Sequence, residues 1–239
     1  MLAHKRILVF GGDSDIAVCI CEQVLAHQAA EVMFISPMKT KLPRHPRLEQ
    51  IEYDFNSNSE QVALLENLIS HSWDGWVFAA GIGGVRPLKL NSQEFVLEMF
   101  QANVFSFINW SRLLLSKRCF NAGSSIVALS SVSSIKGLKS KTVYSASKAA
   151  LDAAVRGMAA ELADKKIRVN SIQKGWVSSD MNLDFIQSNM ALNRENDLDK
   201  QLLGPIEPIE VANLTAFLLS DLVKSITGTA ILIDGGYTL

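Results

Sequence analysis

Seven short apolar runs, separated by stretches with helical spacing, constrain this chain's fold more than any other feature. The runs are 6–10 (RILVF), 31–36 (EVMFIS), 48–54 (LEQIEYD), 75–81 (GWVFAAG), 124–131 (SSIVALSS), 167–173 (IRVNSIQ) and 230–236 (AILIDGG). Most are too continuous in apolar residues to be half-exposed strands, so they predict strands covered on both faces, as in a parallel sheet. Helical spacing over 14–28, 59–71, 92–120, 142–163 and 208–221 supplies the crossovers, with 92–120 expected to be two helices with a break. Strand and helix in alternation predict a doubly wound α/β sheet of about seven strands with right-handed connections. Residues 1–239 are expected to form a single domain. The long irregular stretch 178–207, polar in its second half, is expected to be a substrate loop.

Composition narrows the function classes. The chain has 239 residues, is 48% hydrophobic, and balances 23 Lys and Arg against 24 Asp and Glu for a net charge of −1. That balance does not point to nucleic acid, which draws a basic stripe. No run approaches the ~20 apolar residues of a membrane span, and the N-terminus is too short in apolar residues for a signal peptide. Cys19, Cys21 and Cys119 have no zinc-type spacing and are expected to be reduced. A cytoplasmic protein without a bound metal is therefore expected. The four histidines show no partner or ligand spacing, and Trp73, Trp76, Trp110 and the Phe-rich run 95–107 are expected in the core or at a subunit interface.

Two local patterns carry chemistry. Strand one runs into Gly11-Gly12, and a helix opens near Ser14. Glycines permit a tight turn and close backbone approach, and helix N-terminal amides suit a phosphate. After the first strand of a doubly wound sheet, this predicts a dinucleotide. The second pattern is Tyr144 and Lys148, at i and i+4 near the start of a helix, and therefore on one face of it. A Tyr donates a proton near neutral pH only if its pKa, ordinarily about 10, is lowered, and a nearby ammonium does that.

An acid ~20 residues beyond the glycines ordinarily binds the ribose hydroxyls. Glu31 has that count but opens strand two; the strand's other end carries Ser36-Pro37-Met38-Lys39, with no carboxylate to repel a 2′-phosphate. Lys39, Lys41 and Arg44 follow, so NADP(H) is expected over NAD(H).

In order along the chain, FGGDSDIA, AAG (79–81), Asn103, Ser130-Ser131, Tyr144-x-x-x-Lys148, RVNSIQKGWVSSDM (168–181) and ITGTAILIDGG (226–236) resemble the motifs of the short-chain dehydrogenase/reductase family. Within it the chain looks most like 3-oxoacyl-acyl-carrier-protein reductases and their relatives. The resemblance spans nearly the whole chain and implies a Rossmann-type fold that exchanges hydride with a carbonyl or alcohol. It implies Ser131, Tyr144 and Lys148 as the catalytic group, with Asn103 in a proton relay behind the lysine. It also implies cofactor contacts from Gly11, Gly12, Asp13, Ser14, Asp15, Ile16, Ser36, Lys39, Asp54 and Phe55. Ala79, Ala80, Gly81, Tyr144, Lys148, Lys174, Gly175, Val177 and Ser179 complete that set.

The departures from the family pattern fall on the cofactor rim. Phe10 stands where a Thr braces the glycine turn, Asp15 and Ala17 replace the later glycines, and Ala79 replaces an Asn. Lys174 replaces the Pro beside the nicotinamide, and Ser179 replaces a Thr. An altered rim leaves a non-catalytic dinucleotide-binding regulator as the alternative, opposed by the intact Ser131–Tyr144–Lys148 set. An epimerase or dehydratase would ordinarily carry a larger C-terminal substrate domain. Met181, Leu183, Phe185 and Ile186 are expected to line an apolar pocket, for which acyl thioesters, sugars, steroids and small ketones all remain open. The resemblance implies a homotetramer or homodimer, with Phe105, Phe107, Trp110, Ala149, Ala153 and Met158 among the candidates for an interface.

Overall fold

The protein is described by a computed structural model over residues 1–11, 14–38, 42, 44–53, 61–178 and 200–239, with residues 61–63 described by their backbone alone. Seven parallel strands form one sheet in the order β3-β2-β1-β4-β5-β6-β7. They are β1 (Arg6–Phe10), β2 (Glu31–Ser36), β3 (Leu48–Glu52), β4 (Trp73–Phe78), β5 (Phe120–Ser131), β6 (Arg168–Lys174) and β7 (Ala230–Ile233). The helices are α1 (Asp15–Ala26), α2 (Gln61–Ile69), α3 (Gln93–Phe100), α4 (Ser106–Ser116), α5 (Thr142–Leu162) and α6 (Pro208–Leu219).

Alternation along β1 shows how the layers form. Successive side chains of a strand point to opposite faces. Ile7 and Val9 therefore enter one core, with Ile20 of α1 and Val211 and Ala216 of α6. Leu8 and Phe10 enter the other, with Leu68 of α2, Trp110 of α4 and Leu151 and Val155 of α5. The predicted doubly wound α/β sheet is observed.

Phe10 has a packing explanation. It is fully buried, with its ring edge-on to Trp76 at 5.4 Å and to Trp110 at 5.2 Å between centroids. Trp76 stacks on Phe107 at 5.5 Å. Aromatic pairs at these separations contribute beyond the area they bury, so Phe10 anchors a buried aromatic cluster where a Thr would bond a turn. Phe107 and Trp110 thus belong to the core, whereas Phe105 is 42% exposed.

Several element boundaries differ from the expected ones: β5 opens at Phe120, inside the stretch expected to be helical, and β7 ends at Ile233. Strand β4 runs from Trp73 to Phe78, so Ala79–Gly81 lie in the loop beyond it. The expected break in 92–120 is a π turn, Gln101–Phe105, that joins α3 to α4 without a gap. Two histidines also have partners: His45 Nδ1 accepts from Arg47 N at 3.1 Å, and His71 Nε2 lies 3.3 Å from Glu31 with its ring stacked on Trp73. Glu31 also meets Arg6 at 2.9 Å, which keeps it at the amino end of β2, away from the strand ends where a dinucleotide binds. Among the described residues, no helix is long and apolar enough to cross a membrane.

Candidate active site

The strand order reverses between β1 and β4, and ligands of doubly wound sheets bind at the carboxyl ends beside such a reversal. Gly11 lies just past β1. A Cβ on it would fall 2.6 Å from the Phe34 ring and 2.7 Å from Ala17 Cβ, so only glycine lets α1 approach the sheet this closely. Ser14 caps α1, its hydroxyl accepting from Ala17 N at 3.4 Å; Asp15 and the buried Ile16 occupy the first turn. Capping by Ser14 leaves the other first-turn amides oriented toward an anion. Ser36, fully buried at the end of β2, donates its hydroxyl to Met38 O at 2.6 Å and accepts from Gln50. Arg44 is exposed. Gly12, Asp13, Lys39, Lys41, Asp54, Phe55, Ser179, Met181, Leu183, Phe185 and Ile186 lie outside the described residues.

Beyond β4, Ala79 N bonds Phe10 O and Ala80 is buried, which ties this loop to the end of β1. Gly81 is pressed against Asn103: a Cβ there would lie 2.6 Å from the Asn103 side-chain oxygen and 3.4 Å from Lys148 Nζ. Asn103, fully buried in the π turn, accepts from Ile82 N at 2.9 Å and donates to Ile82 O at 3.0 Å and Ser147 Oγ at 3.0 Å. One side chain thus clamps the β4 loop to α5. π turns frequently mark functional sites, because the extra residue redirects side chains.

Ser131 ends β5. Its hydroxyl accepts from Ser133 N at 3.2 Å and reaches Ser133 Oγ at 3.2 Å. Tyr144 and Lys148 share a face of α5, with Lys148 Nζ 6.0 Å from the Tyr144 ring centroid. Ser147 braces that turn by donating to Tyr144 O at 2.8 Å. Ser131, Tyr144, Lys141, Lys174, Gly175 and Trp176 share a cavity of about 460 Å³.

The electrostatics depart from the simple picture of a tuned phenol. Burial raises the Tyr144 pKa above its ordinary value, and Ser131 opposes the rise. The Lys148 ammonium is turned to Leu129 O at 2.9 Å. Its own pKa is pushed down to about 7, by burial first and then by the charge of Lys174, with Asp152 opposing. Lys174 is in turn lowered to about 8, by burial and by Lys141.

Several supporting residues carried no sequence signal. Gln201, from the far side of the long loop, holds Trp176 by accepting from its N at 2.9 Å and donating to its O at 3.1 Å. A Cβ on Gly175 would collide with that Gln201 side chain. Val177, named above as a cofactor contact, is fully buried and belongs to the core cluster. Asp152 is buried one turn past Lys148, accepting from Ser171 and Gln173 at 2.7 and 2.8 Å. Lys141 is the residue just before α5, three positions before Tyr144.

Residues 17–238 match the family model described as Enoyl-(Acyl carrier protein) reductase. The chain is 34% identical to L-xylulose reductase of Caenorhabditis elegans over 98% of this chain and 96% of that one. It is 34% identical to human 3-oxoacyl-[acyl-carrier-protein] reductase over 68% of this chain and 65% of that one. The structure of 4-hydroxyisoleucine dehydrogenase complexed with NADH superposes with a TM-score of 0.85 at 26% identity, covering 98% of this chain and 99% of that one.

Lys174 gives a stability prediction. An unfolded lysine holds its proton up to about 10.5, while folded Lys174 releases it near 8. Between those values the unfolded chain binds more protons, so stability rises with pH; below about 8 the cost of the buried charge is fully present. Lys174→Met removes that cost and keeps the stem. By thermal unfolding, the variant is expected to melt a few degrees above the unsubstituted protein at pH 7. The gap should close between pH 8 and 10.5; a gap that does not change with pH would show that Lys174 is not held down in the fold. With its sheet order, its site at the strand ends and these relatives together, the chain belongs to the short-chain dehydrogenase/reductase family.

Proposed function

We propose that this protein is an NADP(H)-dependent oxidoreductase that reduces a carbonyl to an alcohol, or runs the reverse, with Tyr144 as proton donor. The observation that carries this reading is the convergence of Ser131 and Tyr144 on one cavity, with Lys148 one helical turn behind. Reduction of a carbonyl leaves an oxyanion that needs a proton. Ser131 holds the substrate oxygen by a hydrogen bond, and Tyr144 delivers the proton to it. Lys148, when charged, favours the phenolate left behind. Asn103 acts through others, keeping the Gly81–Ile82 loop and the Ser147 turn in place. A non-catalytic regulator would have no use for a phenol beside a serine in a substrate-sized cavity.

The dinucleotide fits the chain's own residues: the close approach at Gly11, the capped α1 and the loop Ala79–Gly81 all lie where β1 and β4 diverge. When bound, it supplies or accepts the hydride. Gly11, Ser14 and the α1 amides would hold its phosphates, and Lys148 its ribose. The preference for NADP(H) rests on residues of this chain, since no carboxylate stands at Ser36-Pro37-Met38 and a basic segment follows.

Assembly is read from surface chemistry. α3, the π turn and α4 expose Leu97, Phe105 and Ile108 by 42–54%. Exposed apolar faces of this kind mark an interface, and a second copy of the chain is the cover the family resemblance implies.

Three outcomes test these readings. Tyr144→Phe should lower turnover ~100- to 10,000-fold with cofactor binding nearly unchanged; a variant keeping more than a tenth of the activity would remove Tyr144 as the donor. Fluorescence titration should show NADPH bound about ten- to hundred-fold more tightly than NADH, the worth of one charge-assisted bond, and equal affinities would reduce the basic segment to solvated surface. Light scattering at micromolar concentration should give a homotetramer or homodimer, and a clean monomer would refute the interface.

A further inference from the structure

Strand β6 reaches the site with Gln173 and Lys174, whose Cα atoms pair with those of Ser130 and Ser131 on β5. Gln173 is buried, and its side-chain nitrogen donates at 2.8 Å to Asp152 of α5 and at 2.8 Å to the hydroxyl of Ser134. Asp152 is 3% exposed and accepts again from Ser171 at 2.7 Å. Ser134 ends the short turn Val132–Ser134 that follows β5, and it donates to Ser131 O at 2.8 Å. A hydrogen-bonded path therefore runs from α5, through β6, to the backbone of Ser131.

The direction of that path is fixed at its buried end. A carboxylate only accepts hydrogen bonds, an amide nitrogen only donates, and a hydroxyl does both. Asp152 therefore turns the Gln173 nitrogen toward itself, and the second hydrogen of that nitrogen goes to Ser134. The Ser134 hydroxyl, having accepted, keeps its own hydrogen for Ser131 O. Each end of the path meets the reacting groups. Asp152 sits on α5 one turn past Lys148 and two turns past Tyr144. Ser131 carries the hydroxyl that is hydrogen-bonded to Tyr144. The bonds from Ser133 N to the Ser131 hydroxyl and from Ile135 N to Val132 O stay inside the turn, whereas the Gln173 path links the turn to β6 and α5.

We propose that Gln173 is a positioning residue for the reaction: oriented by Asp152 and acting through Ser134, it holds the Ser131 turn so that the Ser131 hydroxyl meets Tyr144 and the substrate oxygen together. This inference rests on the oxidoreductase reading above and adds to it a residue outside the described cavity lining. Buried networks with their partners in place rigidify what they join, and a displacement of about 1 Å at a reacting group costs up to ~100-fold in rate.

The test cuts the path at two points that leave the Asp152 charge in place. Gln173→Met keeps the length of the side chain and removes its donors. Ser134→Ala, at a half-buried position, removes only a hydroxyl, and so carries the test even where Gln173→Met fails to fold. Each is made alone and together with Ser131→Ala. Activity is read with ethyl acetoacetate, cyclohexanone and 2,3-butanedione, using NADPH and NADH in turn. Gln173→Met should lower kcat about ten- to hundred-fold, and Ser134→Ala should lower it several-fold. Affinity for NADPH and NADH, by fluorescence titration, should stay unchanged. In the Ser131→Ala background neither substitution should lower kcat more than about two-fold further, because the group it positions is gone. A general loss of structure would persist in both backgrounds. The carbon-13 resonance of Tyr144 Cζ, assigned with Tyr144→Phe, supplies a readout independent of turnover. Gln173→Met, Ser134→Ala and Ser131→Ala should each shift it, and either double variant should shift it no further than Ser131→Ala alone. Full kcat in both single variants, losses that multiply in the Ser131→Ala background, or a Tyr144 resonance that neither variant moves would overturn the proposal. Coupled resonances without reduction of any of the three carbonyls would count against the oxidoreductase reading and leave the link from Gln173 to Ser131 standing. Carbonyl reduction with multiplying losses would do the reverse.

Discussion

Strand β5 is paired in parallel with β4 on one side and β6 on the other, and the arrangement of the site depends on that register. Val77 and Phe78 lie opposite Val127 and Ala128, which brings the β4 loop alongside the end of β5. Ser131 lies opposite Lys174, which sets a hydroxyl and an ammonium side by side. A slip of either strand by one residue would turn that strand's side chain to the other face. The register is held by burial on both sides, since every residue from Ser124 to Ser131 is buried.

Around this frame, several buried polar side chains tie distant segments together. Asn103 spends its amide on Ile82 and Ser147, so the loop beyond β4 and the α5 turn carrying Tyr144 move as one piece. Gln201 does the same for Trp176 from the far side of the long loop. Satisfied buried networks of this kind rigidify what they join.

The lysines follow a different rule. Burial, with Lys174 as a neighbour, pushes Lys148 to about 7, and burial, with Lys141 as a neighbour, pushes Lys174 to about 8; both shifts disfavour the charged form. The surroundings of Lys174 therefore oppose its charge at neutral pH. Phe10 is the opposite case: its departure from the family pattern is absorbed by the contacts with Trp76 and Trp110.

The layered architecture was legible in the amino-acid sequence because apolar periodicity is a local property. Runs such as EVMFIS can be stable only when covered on both faces, and helical spacing between them supplies the cover. The i, i+4 placement of Tyr144 and Lys148 and the Gly11 turn were legible for the same reason, since helix geometry and close packing act over a few residues. The break in 92–120 could be read, but not its form as a π turn, which depends on Asn103 reaching Ile82 across 21 positions. The strand order, the burial of Ser36 against Met38 and the charge state of Lys148 also lay beyond the sequence. Those features arise between segments far apart along the chain: Lys174 lies opposite Ser131 across 43 residues only because β5 and β6 pair in one register, and its charge adds to the burial that lowers Lys148.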